Sequence, residues 1–471
     1  MTGPVRIVEE SWDGASATAL RARMDAEVRP RYADLFPDPP RQPAAIDLDD
    51  IVATLVAYDG DEPVGTASLK RTGDFAEIKR VFVDASQRRT GLASRLLAQL
   101  EDEARSCGFR DLVLQTGLRQ PEAIALYVRE GWTAIPPFGP YADDTVVSRC
   151  FAKPVVPLVV GVEIPARGET ADFAQRAVAA ILAFDRTELD LVVLADAYLA
   201  PAGSLAVDGP SLAAFAAPRT RHTVLVPTIA TTHTEPFHVA KVVQTLDFVS
   251  RGRAGWQPGI DADAETAALF GRKGVDDHAT LWAEADEVID VAGRLWDSWE
   301  DDAEIRDVAT GRFIDRDRVH HIDFEGRFFS VKGPSIVPRS PQGRPPIVVR
   351  VETGDAAALE VAAARADVIR VTADGVDQAR DAVSEAGRTQ VAVLVDLPST
   401  GSPQSDAAQA VSVRQATGAD GAVVVFDLLP PDPDTIADAL RGIGTGRAGT
   451  FRDRLGLDRP ASRYVLEEIS V

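Results

Sequence analysis

At 471 residues and 45% apolar composition the chain is long for one domain and carries enough apolar residues for sizeable cores, so two to three domains are expected. A formal charge of −22 argues against nucleic acid and anionic membrane as partners. No apolar run reaches the roughly 18 residues of a membrane span, residues 1–6 lack the basic start and apolar stretch of a signal peptide, and Cys107 and Cys150 make neither a disulfide framework nor a metal site. A cytoplasmic protein is expected.

In chain order, residues 54–57, the turn Asp59-Gly60 and residues 64–69 read as a hairpin with a type I′-compatible turn. A strand over 77–83 follows, ending in Val81-Phe82-Val83. It runs into Gln87-Arg88-Arg89-Thr90-Gly91-Leu92-Ala93, which opens a helix to about residue 107 with the apolar stripe Leu92, Leu96, Leu97, Leu100 and Ala104. A strand entering a glycine turn and then a helix start leaves several backbone N–H groups pointing at one spot. With the helix dipole and the guanidinium groups of Arg88 and Arg89 they make a seat for phosphate oxygens. A side chain at Gly91 would keep the ligand off the backbone. The Gly-Lys-Ser/Thr ending of a P-loop and the three glycines of a dinucleotide fingerprint are both absent. A strand over 112–114 and a helix over 121–129 complete this region.

Arg88-x-x-Gly91-x-Ala93 after Val-Phe-Val resembles the pyrophosphate loop of GNAT-type N-acetyltransferases, which bind acetyl-coenzyme A. Leu126-Tyr127-Val128-Arg129-Glu130-Gly131-Trp132 is similar to the segment closing that family's core, and residues 120–127 and 136–141 extend the likeness over 5–153. The resemblance implies a GNAT α/β fold at 1–153, with a mixed, mostly antiparallel sheet. It implies acetyl-CoA as cosubstrate, held by Val81, Phe82, Val83, Arg88, Arg89, Thr90, Gly91, Leu92 and Ala93. Tyr127 then hands a proton to the leaving thiolate; the alternative is a core aromatic beside Ile124 and Leu126. Glu77 accepts the amine's proton, or is a charged residue of an exposed strand face paired with Lys79. The acceptor, a small amine or a protein amino group, is placed against residues 138–141 and the first helices around residues 21–25.

Beyond Lys153-Pro154 the texture changes. Eight apolar runs appear, at 158–162, 191–194, 224–229, 254–257, 347–351, 368–371, 391–395 and 422–426, suited to strands buried on both faces. Helical patterns lie between most of them, at 173–184, 239–248, 282–299, 356–364, 378–386, 407–417 and 435–443. That alternation predicts a (β/α)₈ TIM barrel over 155–471, with one excursion at about 300–345. Leu295-Trp296-Asp297-Ser298-Trp299-Glu300, the Phe324–Pro334 and Pro338–Pro345 segments, Thr231-Thr232-His233-Thr234-Glu235-Pro236 and Gly252-Arg253-Ala254-Gly255-Trp256 resemble bacterial-luciferase-like flavin monooxygenases, in the nitrilotriacetate and dibenzothiophene-sulfone branch.

The resemblance implies FMN at the C-terminal ends of the strands and a separate flavin reductase as partner, because the chain has no dinucleotide fingerprint of its own. Two departures stand against the branch pattern. Gln257-Pro258-Gly259 replaces an asparagine and a Val-Thr-like strand, and Glu352-Thr353-Gly354 replaces a Gly-Ser-Ser phosphate segment, where Glu352 would repel a phosphate. A long helical insertion before the last strands is also missing. The expected protein is therefore an acetyl-CoA-dependent N-acetyltransferase fused to a luciferase-like monooxygenase-type domain. The alternatives are a monooxygenase with an accessory transferase fold, and a ligand-sensing or scaffold fusion. His233, His238, His320 and His321 read as surface or hydrogen-bonded histidines and carry no expected role.

Overall fold

A computed structural model describes residues 5–35, 46–73, 75–144, 146–155, 158–187, 189–200, 202–446 and 448–465. The chain divides into two compact units at residues 157/158.

The first unit is built from β1 (Arg6–Glu9), α1 (Ala15–Val28), β2 (Ile51–Asp59), β3 (Glu62–Thr72), β4 (Phe75–Val83), α2 (Leu92–Ser106), β5 (Asp111–Gly117), α3 (Pro121–Arg129), β6 (Thr133–Ile135) and β7 (Ser148–Pro154). Its seven-stranded sheet runs β1-β2-β3-β4-β5-β7-β6, antiparallel except between β4 and β5. Period-2 alternation sends Leu55 and Leu69 to the face under Leu96 and Leu100 of α2, while Val56 and Phe82 meet Ala17 and Leu20 of α1 on the other. The expected stripe of α2 is buried in full. The β2–β3 turn differs from expectation. Of its central residues Gly60 and Asp61 only Gly60 has a positive φ, +62°, and a type I′ turn needs both; glycine first is the type II′ pattern.

The end of α3 shows why its residues come in that order. Gly131 adopts φ +81°, its N–H bonds to Val128 O at 3.2 Å, and Trp132 N–H bonds to Tyr127 O at 3.0 Å. This is a Schellman stop, with Tyr127 and Trp132 making its apolar contact ring to ring at 6.1 Å.

The second unit comprises β8 (Val159–Ile164), β9 (Arg167–Gly168), α4 (Phe173–Asp185), β10 (Leu191–Leu194), β11 (Leu205–Ala206), α5 (Gly209–Ala216), β12 (Val224–Ala230), α6 (Pro236–Ser250), β13 (Gln257–Gly259), α7 (Ala264–Phe270), α8 (His278–Asp297), β14 (Glu304–Asp307), β15 (Arg312–Ile314), β16 (Phe324–Glu325), β17 (Ser330–Val331), β18 (Val348–Arg350), α9 (Ala356–Arg365), β19 (Val368–Val371), α10 (Val376–Glu385), β20 (Ala392–Pro398), α11 (Pro403–Thr417), β21 (Gly421–Val425), α12 (Pro433–Leu440) and α13 (Phe451–Leu455). Eight parallel strands run β13-β12-β10-β8-β21-β20-β19-β18. The ring closes through Trp256 and Ile347, with Val348 N–H bonded to Trp256 O at 2.8 Å.

Inward residues Val159, Leu191, Val193, Val224, Val226, Val348, Val368, Leu394 and Val423 fill the barrel, and Phe451 of α13 packs against them. The excursion carries two short ribbons, β14–β15 and β16–β17. Among the described residues no helix is long and apolar enough to cross a membrane, and no group of three or more His, Cys, Asp or Glu is placed to hold a metal.

Candidate active sites

In the first unit β4 and β5 pair at Ala76–Leu112, Glu77–Val113 and Ile78–Leu114, and no further among the described residues. The cause lies in β4. Arg80 has φ +57°, and the register with β3 shifts there, so an extra residue bulges and re-aims Val81–Val83. The backbone beyond the bulge thus faces a cleft of about 540 Å³. Val81, Phe82, Val83, Arg88, Arg89, Gly91, Leu92, Ala93 and Tyr127 all line it.

Gly91 is the N-cap of α2 at φ +84°, and Arg89 also has a positive φ, +65°. No side chain caps α2, so its first-turn N–H groups are left for a ligand. A Cβ on Gly91 would meet no protein atom within 4 Å. Backbone conformation therefore demands the glycine, and the space beside it is open.

Two of the expected phosphate contacts are engaged within the protein. Arg88 donates to Val83 O at 3.0 Å and pairs with Glu27 of α1 at 2.5 Å. Thr90 does not line the cleft; its hydroxyl donates to Gln87 O at 2.7 Å and fixes the turn. Glu27, Arg31 and Glu122, which also line the cleft, were not anticipated: they lie 61 residues or more from the partners that bring them there, with no local motif to mark them.

Tyr127 is 5% exposed. Its ring packs against Trp132 and Phe151 while lining the cleft, so both readings of this residue describe part of its surroundings. Burial raises its phenol well above the ordinary tyrosine value, which keeps the proton on the oxygen.

Glu77 corrects the expectation of an exposed strand face, because it is 2% exposed. Tyr141 folds over it and donates to Glu77 Oε1 at 3.0 Å, and Lys79 Nζ lies 2.7 Å from the same oxygen. Lys79 also bonds the Tyr141 hydroxyl. Burial, then the Glu77 charge, pushes the Tyr141 phenol upward. Glu77 is outside the cleft lining, and Tyr141 covers it.

At the C-terminal ends of the barrel strands lies a buried charge network. Arg370 is 0% exposed and donates to Glu163 Oε2 at 2.5 Å, Gln257 Oε1 at 2.8 Å and Asp396 Oδ1 at 2.8 Å. Arg350 approaches Asp396 at 2.9 Å and Glu352 at 3.2 Å. The residues that departed from the branch pattern, Gln257 and Glu352, are thus both tied to arginines.

Residues 158–468 match the luciferase-like monooxygenase family. The chain belongs to that family. Residues 20–132 match the acetyltransferase (GNAT) family, so this luciferase-like protein carries a GNAT domain as well, and both families are families of enzymes. It is similar to N-acetyl-S-(2-succino)cysteine monooxygenase of Bacillus subtilis (strain 168), 35% identical over 42% of this chain and 45% of the relative. It is also similar to nitrilotriacetate monooxygenase component A of Aminobacter aminovorans, 43% identical over 27% of this chain and 28% of the relative. The chain thus spans less than half the length of these relatives. Among solved structures, EDTA monooxygenase from Chelativorans sp. BNC1 shares the fold, with a TM-score of 0.55 at 19% identity over 64% of this chain and 99% of that one.

Luciferase-like monooxygenases bind FMN, and GNAT domains use acetyl-CoA. The cleft beside Gly91 fits the diphosphate of coenzyme A. The turn opening α9 does not fit a flavin phosphate. Asp355 caps that helix itself, accepting from Ala358 N at 3.0 Å, and the small hollow there is lined by Glu352, Asp355 and Asp374 without lysine or arginine.

Proposed function

We propose that the principal activity is acetyl-CoA-dependent N-acetylation of a small amine by the GNAT domain. The observation that carries it is the open cleft between the β4 bulge and the uncapped start of α2, which Tyr127 also lines. The first-turn amides of α2, with Arg89, hold the diphosphate. Arg88 joins them once it leaves Glu27. The exposed backbone of Val81–Val83 holds the pantetheine arm and faces the developing oxyanion. The amine nitrogen attacks the thioester carbon, a C–N bond forms and the C–S bond breaks. Tyr127 gives its proton to the departing sulfur, and Glu77 takes the amine's proton through the Tyr141 hydroxyl or water.

The curated relative named for an N-acetylated substrate supports an amino-acid thioether as acceptor. Here a barrel of that relative's luciferase-like family is fused to a domain of the acetyltransferase (GNAT) family. Release of free coenzyme A is the measurement, with S-(2-succino)cysteine, other amino acids and a peptide amine as acceptors. Saturable, amine-dependent thiol release supports the reading, and its absence across all acceptors removes it.

The second reading makes flavin-dependent oxygenation by the barrel the main activity, with reduced FMN delivered by a separate reductase. Family membership favours it, as does a relative named as one component of an enzyme. The acidic turn at α9 weighs against it. Fluorescence titration with FMN separates the two.

A further inference from the structure

Beside the barrel strands lies a cavity of about 730 Å³, at the end of β12 and between α5, α6 and α7. That size suits a small organic ligand. One wall is a cage of three rings. His233 stacks on Phe270 at 4.6 Å and 11°, Tyr198 meets Phe270 edge-on at 5.0 Å, and Tyr198 meets His233 at 6.3 Å. Ile229, Val239, Val242 and Leu246 add apolar surface, and Lys241 and Arg272 share the lining with Asp196, Asp208 and Glu235.

His233 is the informative member. It is 6% exposed, and neither Nδ1 nor Nε2 has a hydrogen-bond partner. Buried polar groups are bonded in nearly all proteins, and here both ring nitrogens of a cavity-lining histidine just past the C-terminal end of a barrel strand are without a protein partner. The stack on Phe270 fixes the ring, so it does not turn away to find a partner. Burial also pushes its pKa below the ordinary histidine value. A neutral imidazole offers one N–H donor and one lone-pair acceptor.

The complementary group carries one acceptor and one donor on an uncharged frame, as a secondary amide does. A free amino group, protonated at neutral pH, has donors only and offers no acceptor to the imidazole N–H. Acetylation removes that charge and creates the amide. We infer that this cavity binds the N-acetylated product of the transferase domain, with the amide at His233 and the apolar side chain against the Tyr198–Phe270 cage. The inference rests on the transferase reading, since it takes the product of that reaction as its ligand. It makes the barrel a receiver for the molecule that the first domain releases.

Calorimetry on the full chain tests it without acetyl-CoA, using N-acetyl-L-methionine and N-acetyl-L-phenylalanine against the two free amino acids. The expected result is a Kd below about 1 mM for an acetylated probe and at least about tenfold weaker binding of its free amine. His233→Phe, which keeps the stack, should weaken the acetylated probe at least about tenfold, and His233→Gln, which keeps a donor and an acceptor, by less than about threefold. Binding of neither acetylated probe, equal binding of free and acetylated forms, or an unchanged His233→Phe protein would overturn the inference. If His233→Phe does not fold, the wild-type comparison and His233→Gln decide alone. Failure here with amine-dependent thiol release intact removes only the barrel site. Loss of thiol release with acetylated probes still bound removes only the transferase reading.

Discussion

Gly91 and Gly108 flank the same helix, α2, at nearly equal positive φ values, +84° and +81°, and a Cβ on either would touch no protein atom within 4 Å. Alanine at either site therefore carries the same backbone strain, about 1–2 kcal/mol, partly offset by about 0.4–1 kcal/mol from the stiffer unfolded chain. Both variants should lose roughly 1 kcal/mol of stability by urea unfolding. Only Gly91→Ala strains the amides aimed into the cleft. Its methyl group stands in the open space where a diphosphate would meet them, and the loss of about one hydrogen bond to phosphate, roughly 1.5–3 kcal/mol, should weaken coenzyme A about 10- to 150-fold. Calorimetric titration of coenzyme A into wild type, Gly91→Ala and Gly108→Ala reads the difference directly. Equal weakening by both variants, or an unchanged Kd for folded Gly91→Ala, would refute the placement of the phosphate seat.

Tyr127→Phe keeps the ring contacts to Trp132 and Phe151, so coenzyme A affinity and stability should hold while turnover falls by about 10²-fold or more in a thiol-release assay. Because the folded pKa is raised, Tyr127 contributes stability that is complete below the unfolded value near 10 and declines as pH rises above it; wild type should destabilise in that alkaline range more than Tyr127→Phe. Glu27→Gln releases Arg88 from a partly exposed pair and should tighten coenzyme A binding by up to about fivefold at low salt, with the gain shrinking as salt is added. Arg370→Met leaves the Glu163 and Asp396 carboxylates, 7% and 8% exposed, without their buried cation, and should cost about 3–5 kcal/mol in urea unfolding followed by fluorescence of Trp256, Trp282, Trp296 and Trp299. A loss below about 1 kcal/mol would contradict the role given to that arginine.

What was readable in advance was local. The stripe of α2 and the Gly91 turn each depend on residues within one or two helical turns, so spacing exposed them; residues 126–132 stood out only by resemblance, and the Schellman stop there was not anticipated. The eight barrel strands were visible because strands buried on both faces are apolar throughout. α5 escaped because it opens with Gly209-Pro210, which reads as a turn; Asp208 makes it a helix start by capping Ser211 N at 2.7 Å. The burial of Glu77 was hidden because Tyr141, 64 residues away, covers it. Arg88 was assigned to a ligand because Glu27, 61 residues upstream, gave no sign of reaching it. His233 lay inside the Thr231–Pro236 resemblance segment with no role assigned, because its stack on Phe270 and its unpartnered nitrogens arise only in the fold.

The arrangement around Arg370 limits how this barrel can drift. Its bonds reach strands whose contributing residues lie 207, 113 and 26 positions away, at Glu163, Gln257 and Asp396. Replacing Arg370 leaves two carboxylates in the interior without their buried cation, and replacing Glu163 or Asp396 leaves that cation one carboxylate short, so a lone change of charge is penalised before a second can compensate. Descendants of this chain should therefore keep the set whole or exchange it as a block, and the mouth of the barrel should change in steps rather than by gradual divergence.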